Sequence, residues 1–219
     1  MKEIKNILVS LPHESVELSR GELVYHGTIN HLYLLTSGVL LAGKRIHQGD
    51  ACKRLVSLFA VGDMLGVAGL INQTQREVPF FAEVVSSEAT VLKVSYATIQ
   101  QQILRGDFQL TEAILLQLGS YTERTHSLWL DLLTLSAEQR AVSRLLQLAE
   151  DGRFSSKVGL AREVRGFKFS HEDIASICGT TRQTITIVLG ELQAKGLLDY
   201  GRNFIRIHDI ALLQAMLPI

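Results

Sequence analysis

The chain has 219 residues, 47% of them hydrophobic and 20% charged, a balance that supports one or two buried cores and excludes a disordered chain. Lys plus Arg equals Asp plus Glu at 22 each, so total charge alone marks no polyanionic partner. The distribution is uneven: between Lys157 and Arg206 the basic residues outnumber the acidic ones, as expected of a sensor joined to a nucleic-acid reader.

Two cysteines, Cys52 and Cys178, lie far apart and give neither a disulfide framework nor a zinc spacing, which predicts two reduced thiols. The apolar run in Met1 to Pro12 is too short for a signal peptide, and no stretch reaches the length of a membrane span. The expectation is a soluble, cytoplasmic protein with no membrane partner.

From about Val16 to Val94 apolar and polar residues alternate between recurring glycines. Leu23–Tyr25, Leu32–Leu35, Val39–Leu41, Leu55–Phe59 and Val91–Val94 read as strands, with turns at Gly49-Asp50 and Val61-Gly62-Asp63. Short strands at this spacing predict a compact antiparallel barrel or roll. The period then changes. Tyr96 to Leu104 reads as a short helix and Phe108 to Leu135 as a long one. On the long helix Leu110, Ile114, Leu118, Tyr121, Thr125, Leu128, Leu132 and Leu135 recur at steps of three and four. This stripe either packs on the chain's own roll or forms a two-fold seam between copies. The seam is preferred, because one small roll covers too little of so long a helix.

Ser136 reads as the N-cap of a helix running to about Ala149, with Glu138 and Gln139 in its first turn. After Gly152, Val164 to Phe169 reads as a strand. Ser170 with Asp173 three residues on is a capping-box variant that starts a helix over His171 to Cys178, ended by Gly179. A second helix runs from Thr181 to about Lys195, with Gly196 after it. Leu197–Tyr200 and Phe204–Ile207, joined by Gly201-Arg202-Asn203, form a hairpin wing. The expected class is α+β: an N-terminal antiparallel β-roll over 1–106, a dimerisation helix over 107–135, and a C-terminal winged helix-turn-helix over 136–219.

Within that last segment Ile174, Ala175 and Cys178 can pack on Ile185, Val188, Leu189 and Leu192, with Gly179 supplying the tight turn. The packing leaves the first turn of the second helix free. Arg182 can hold guanine through two acceptors, Gln183 can pair with adenine, and Thr181 and Thr186 suit a thymine methyl or a phosphate. Ser170, His171 and Thr180 complete the candidate DNA contacts. The blander reading has Thr180 and Thr181 only capping the helix and Arg182 and Gln183 merely solvated. Two helices, a turn and a wing together favour DNA reading, with a protein-binding winged helix as the alternative. No nucleophile–base set, metal spacing or phosphate loop is present, so no catalytic role is expected.

Phe169 to His208 resembles the DNA-binding domain of the CRP/FNR family, the cyclic-AMP receptor and fumarate-nitrate regulators. Gly179 to Thr186, Gly-Thr-Thr-Arg-Gln-Thr-Ile-Thr, matches that family's Gly-x-[Ser/Thr]-Arg-x-Thr-[Val/Ile]-[Ser/Thr/Gly] signature. Upstream, Gly21 to Gly27, Leu32 to Leu40 and Phe59 to Leu70 resemble the family's cyclic-nucleotide-binding-like β-roll. The resemblance implies a homodimer on a palindromic operator of double-stranded DNA, recognition helices in successive major grooves, and contact with RNA polymerase. Gln183 stands where the cyclic-AMP receptor type has Glu, and Ile187 where it has a second Arg, so a different operator is expected.

The same resemblance implies limits on the effector. Cyclic-AMP binders use a Gly-Glu pair and an Arg-Ser pair. Here the first region reads Gly66-Val67-Ala68-Gly69, and Pro79 and Phe80 fall at the second, with Arg76 nearby, so cyclic-AMP binding is not expected. The iron–sulfur branch needs four cysteines, so no cluster is expected. The nitrogen-control branch uses an Arg and a Glu on the dimer helix, and the matching positions are Tyr121 and His126. His26, His31 and His47 are read as surface or hydrogen-bonded residues and not haem ligands, and Cys52 is not read as a sensor thiol. The effector is unknown. Its candidate pocket is Gly66, Val67, Phe80, Tyr121 and Thr125, which is either a site for a small ligand or filled core.

Overall fold

The computed structural model describes residues 2–27, 29–45, 53–72, 78–165 and 170–218. The chain divides into two compact units, Met1–Arg45 with Leu58–His126, and Ile46–Ser57 with Ser127–Ile219.

Up to residue 134 the elements are α1 (Lys2–Ser10), β1 (Glu14–Ser19), β2 (Leu23–Gly27), β3 (His31–Ser37), β4 (Leu40–Arg45), β5 (Lys53–Phe59), β6 (Met64–Leu65), α2 (Val67–Asn72), β7 (Val78–Val84), β8 (Glu88–Ser95), α3 (Tyr96–Leu104) and α4 (Phe108–Thr134). Two four-stranded sheets, ordered β1-β8-β3-β6 and β2-β7-β4-β5, form an antiparallel roll. Side chains alternate across β3 and β8. Tyr33, Leu35, Ala89 and Val91 enter one core with Leu40, Phe59, Ala82 and Val84. Leu32, Leu34, Leu92 and Val94 enter a second core, covered by Ile4 and Leu8 of α1, Ile99 of α3, and Leu110 and Ile114 of α4.

This second core corrects the reading of the long helix. Leu110 and Ile114 are buried in the roll's own core, which leaves them almost no surface for a seam, and the partly buried Leu118 packs against that core. Leu128 is half-buried, and a Leu132 methyl lies 2.9 Å from where a Cβ on Gly179 would sit. Among the apolar side chains of α4 left in solvent, Tyr121 (40% exposed) and Leu132 (45%) lie on the expected stripe, Leu115 (61%), Trp129 (63%) and Leu133 (77%) roughly a quarter of a turn from it, and Leu116 and Leu130 on the opposite face. No described helix is long and apolar enough to cross a membrane.

The second unit holds α5 (Ala137–Glu150), β9 (Ser155–Val158), β10 (Ala161–Val164), α6 (His171–Cys178), α7 (Arg182–Ala194), β11 (Leu198–Gly201), β12 (Phe204–Ile207) and α8 (Ile210–Gln214). Its strands form one sheet, β11-β12-β10-β9. Strand β10 covers Ala161–Val164 and so meets the strand expected over Val164–Phe169 only at its first residue. Gly159, at φ +62°, turns β9 back against it, and residues 166–169 lie outside the described ones.

Glu163 on β10 stands opposite Arg206 on β12 and has no exposed surface. Arg206 donates from Nε at 2.7 Å, and Arg165 donates to the other carboxylate oxygen. The Arg165 hydrogen bond first, then that of Arg206, hold the carboxyl below its ordinary value near 4.5 against the opposing effect of burial. A depressed folded-state value stabilises the fold above the ordinary value, and the contribution is lost as pH falls towards the lower one. Glu163→Gln is therefore expected to cost about 2 kcal/mol at pH 7, because both arginines reach solvent once released. The difference from the parent should shrink below about pH 4.5 in urea unfolding measured across pH. A difference independent of pH would refute the assignment.

Candidate nucleic-acid interface and effector region

Local hydrogen bonding sets the reading head. Ser170 caps α6: its Oγ accepts the Asp173 N–H at 3.0 Å. Ile174, Ala175 and Cys178 of α6, and Ile185, Val188, Leu189 and Leu192 of α7, are all buried. Between the helices Gly179 takes the left-handed conformation, φ 59° and ψ 42°, where a Cβ is disfavoured. Thr181 caps α7, its Oγ1 accepting the Thr184 N–H at 3.2 Å. Capping and exposure coexist here. Thr181, Arg182, Gln183 and Thr186 are all exposed, while Thr180 is half-buried.

Two of the candidate contacts touch. Thr186 Oγ1 donates to the Arg182 carbonyl at 2.9 Å, so it accepts from His171 Nδ1 at 2.8 Å. The His171 ring also lies 5.6 Å from the Tyr200 ring on β11. The start of α6, the first turns of α7 and the wing are thus tied together at one imidazole. Ser170 is exposed beside it.

Sequence reasoning missed Arg140. From α5 it donates to the Leu135 carbonyl at 2.9 Å and to the Cys178 and Gly179 carbonyls at 3.1 Å each. The side chain therefore joins the end of α4 to the turn of the helix-turn-helix. The available hint was electrostatic: a cation near a helix N-terminus opposes the dipole unless it has another use. Nearby, Arg144, 7% exposed, pairs with Asp131 at 3.1 Å, and the Ser143 hydroxyl donates to the same carboxylate. Burial pushes the Cys178 thiol up to about 12, which leaves it unreactive.

Four of the five residues expected to line an effector pocket, Gly66, Val67, Tyr121 and Thr125, have described side-chain surroundings. Val67 is buried in the helix-covered core, as in the filled-core alternative. Gly66, at φ +90°, has no room for a side chain: a Cβ would lie 2.6 Å from the His31 carbonyl oxygen. The Tyr96 hydroxyl donates to the Gly66 carbonyl at 2.6 Å. Thr125 donates to the Tyr121 carbonyl of its own helix at 2.8 Å. Tyr121 is 40% exposed, and its phenol is among the groups, after burial, that raise the Tyr25 hydroxyl above its ordinary range. A cleft of about 340 Å³ lies elsewhere in this unit, lined by Ile4, Ile7, Gly62, Met64, Leu116 and Gln117 among others. His47, Cys52, Arg76 and the side chains of His26, Pro79 and Phe80 lie outside the described residues.

An ion pair between buried Asp63 and partly exposed Arg124 holds α4 to the turn after β5. Asp63, 4% exposed, accepts the Ala60 N–H at 2.9 Å, Arg124 Nη1 at 3.2 Å and Gln117 Nε2 at 3.4 Å. The Arg124 guanidinium lies 5.7 Å from the Phe59 ring centroid. Its other donors, Nε and Nη2, are buried and have no acceptor. Each such donor costs on the order of 1–3 kcal/mol.

Residues 139–216 match the Crp-like helix-turn-helix domain. The chain is 27% identical over 194 residues to the cyclic AMP receptor protein of Thermus thermophilus, covering 88% of this chain and 82% of that one. It is 25% identical over 186 residues to the anaerobic regulatory protein of Pasteurella multocida, covering 84% of this chain but only 64% of that relative's length. Its fold matches the crystal structure of a CRP/FNR-family transcriptional regulator from Thermus thermophilus, with a TM-score of 0.72 at 20% identity over 93% of this chain and 97% of that one. In its β-roll, long helix and Crp-like helix-turn-helix domain the chain is thus similar to transcription regulators of the CRP/FNR type.

Proposed function

We propose that the protein is a sequence-specific regulator that binds a palindromic operator as a homodimer, contacts RNA polymerase and works in the cytoplasm. Residues 1–106 act as the sensor, 107–135 as the dimerisation helix and 136–219 as the reading head. One observation carries the reading: the exposed Thr181–Thr186 turn opens α7, held against α6 by Gly179 and tied to the wing through His171. Arg182 offers a two-donor fork for guanine and Gln183 a donor–acceptor pair for adenine, while Ser170, His171, Thr180, Thr181 and Thr186 suit phosphates and thymine methyls. The exposed leucines and Trp129 along α4 support self-association. Against cyclic AMP stand the apolar Val67 in place of a carboxylate and the Tyr96 hydroxyl on the Gly66 carbonyl. The roll acts by biasing the placement of the two heads and carries out no catalysis.

Selection of bound duplexes from a random pool is expected to return an inverted repeat. On that operator Arg182→Ala should lose about 1–3 kcal/mol, roughly 5- to 150-fold, with specificity relaxed at one base pair per half-site and the fold intact. Absence of any salt-dependent DNA affinity in the parent protein would refute the reading and point to a winged helix that takes a protein partner.

A further inference from the structure

We propose that His171 is a positioning residue that commits Thr186 to reading a thymine methyl in the operator. This deepens the DNA-reading function given above and rests on it. A threonine on a recognition helix has two ways to read a base edge: its hydroxyl can hydrogen-bond, or its methyl can touch the 5-methyl group of thymine. Here the hydroxyl is taken. Its proton goes to the Arg182 carbonyl at 2.9 Å, one turn back in α7. Oγ1 then accepts from His171 Nδ1 at 2.8 Å, so the imidazole carries a proton on that nitrogen. No hydroxyl proton is left for guanine O6, thymine O4 or a purine N7, and the methyl is the group free for a base. The lock comes from the first residue of α6, fifteen positions away in the chain, so it exists only in the assembled helix-turn-helix. From the wing, the Tyr200 ring backs the imidazole at 5.6 Å. The next residue extends the apolar surface. Ile187 is 60% exposed, on the side of α7 away from the buried Ile185 and Leu192. The first turn of α7 therefore offers hydrogen-bonding groups, on Arg182 and Gln183, and the second offers methyl groups, on Thr186 and Ile187.

The test uses the full chain and the duplex selected from the random pool. Each thymine of the half-site is replaced in turn, in both half-sites, by deoxyuridine, which keeps every hydrogen-bonding group and lacks only the methyl. At one thymine the parent is expected to lose about 4-fold in affinity per half-site, the contribution of one buried methyl group. Thr186→Ser, which keeps the hydroxyl and lacks the methyl, should bind the thymine and uracil duplexes alike at that position, and Thr186→Val should keep the preference. His171→Ala should lower it, because the released hydroxyl can turn to the base. His171→Asn, with an amide N–H in the place of Nδ1, should restore it. Each readout is the ratio of two affinities for one protein, so a general weakening of binding leaves it unmoved. The uracil series on the parent needs no variant to fold. A parent indifferent to the methyl at every thymine, or a selected half-site without thymine, overturns the proposal and leaves the DNA reading in place. A penalty that Thr186→Ser retains at every thymine, or that His171→Ala leaves unchanged, also overturns it. A parent with no salt-dependent affinity for any duplex overturns both.

Discussion

Arg140→Ala is expected to destabilise the second unit by about 3 kcal/mol and to weaken operator binding even at temperatures where the unit stays folded. The side chain makes three charge-assisted hydrogen bonds to carbonyls that no helix satisfies: Leu135 past the end of α4, and Cys178 and Gly179 at the end of α6. Hydrogen bonds to charged groups contribute on the order of 1.5–3 kcal/mol each. Their sum is not the expected loss, since Arg140 is only half-buried and water can reach part of what is released. Lysine should restore little, because one ammonium cannot span three carbonyls that the planar fork reaches together. Urea unfolding followed by far-UV circular dichroism gives the stability change. Affinity for the selected operator, measured well below the melting temperature, reports the orientation of the α6–α7 turn. If Arg140→Lys restored both quantities, the role would be one of charge and not of geometry.

The residues legible in the sequence are those whose role is settled within four positions of the chain. Ser136 and Ser170 cap their helices as expected, and Thr181 caps α7 in place of opening it, because each hydroxyl meets an amide three residues on. Gly179 and Gly196 adopt the positive φ that a helix stop requires. The long helix ends within a residue of its expected limit, at Thr134. What the sequence conceals depends on partners distant in the chain. Periodicity finds an apolar stripe on α4 but carries no information on what covers it, so Leu110 and Ile114 read as seam residues and yet lie in the roll's core. The helix α1 escapes sequence reasoning because it is short, and Ile4, Ile7 and Leu8 dock it on a core made by residues distant in the chain. Strand β7, Val78–Val84, contains a proline and a continuous apolar run, which hide its alternation. Val67 is open to two readings, a pocket wall or filled core, because sequence alone does not say which neighbours close over it; here it lies in the core.

Replacing Trp129 and Leu133 together by aspartate should convert the protein to a monomer and lower its affinity for a two-half-site operator by about 10²–10⁴-fold. These side chains stand four residues apart on one face of α4, 63% and 77% exposed. An apolar row left in water is costly unless a partner covers it. Gly119 and Thr122 continue the α4 sequence between Leu115 and Trp129, and a Cβ on Gly119 would meet nothing within 4 Å, so a second helix could approach closely there. The affinity range follows from linkage: once one head is bound, the second binds at the effective concentration set by the joined helices, and separate monomers lose that factor. Affinity for a single half-site should be unchanged, because Thr181 to Thr186 are untouched. Stability should also change little, since neither aspartate replaces a buried side chain, whereas truncating Leu110 would open a cavity in the roll. Light scattering coupled to size exclusion gives the mass, and titration of one- and two-half-site duplexes gives the affinities. A double variant that remains dimeric would place the seam on another face of α4. A monomer that keeps full affinity for the inverted repeat would remove the joined heads from the mechanism.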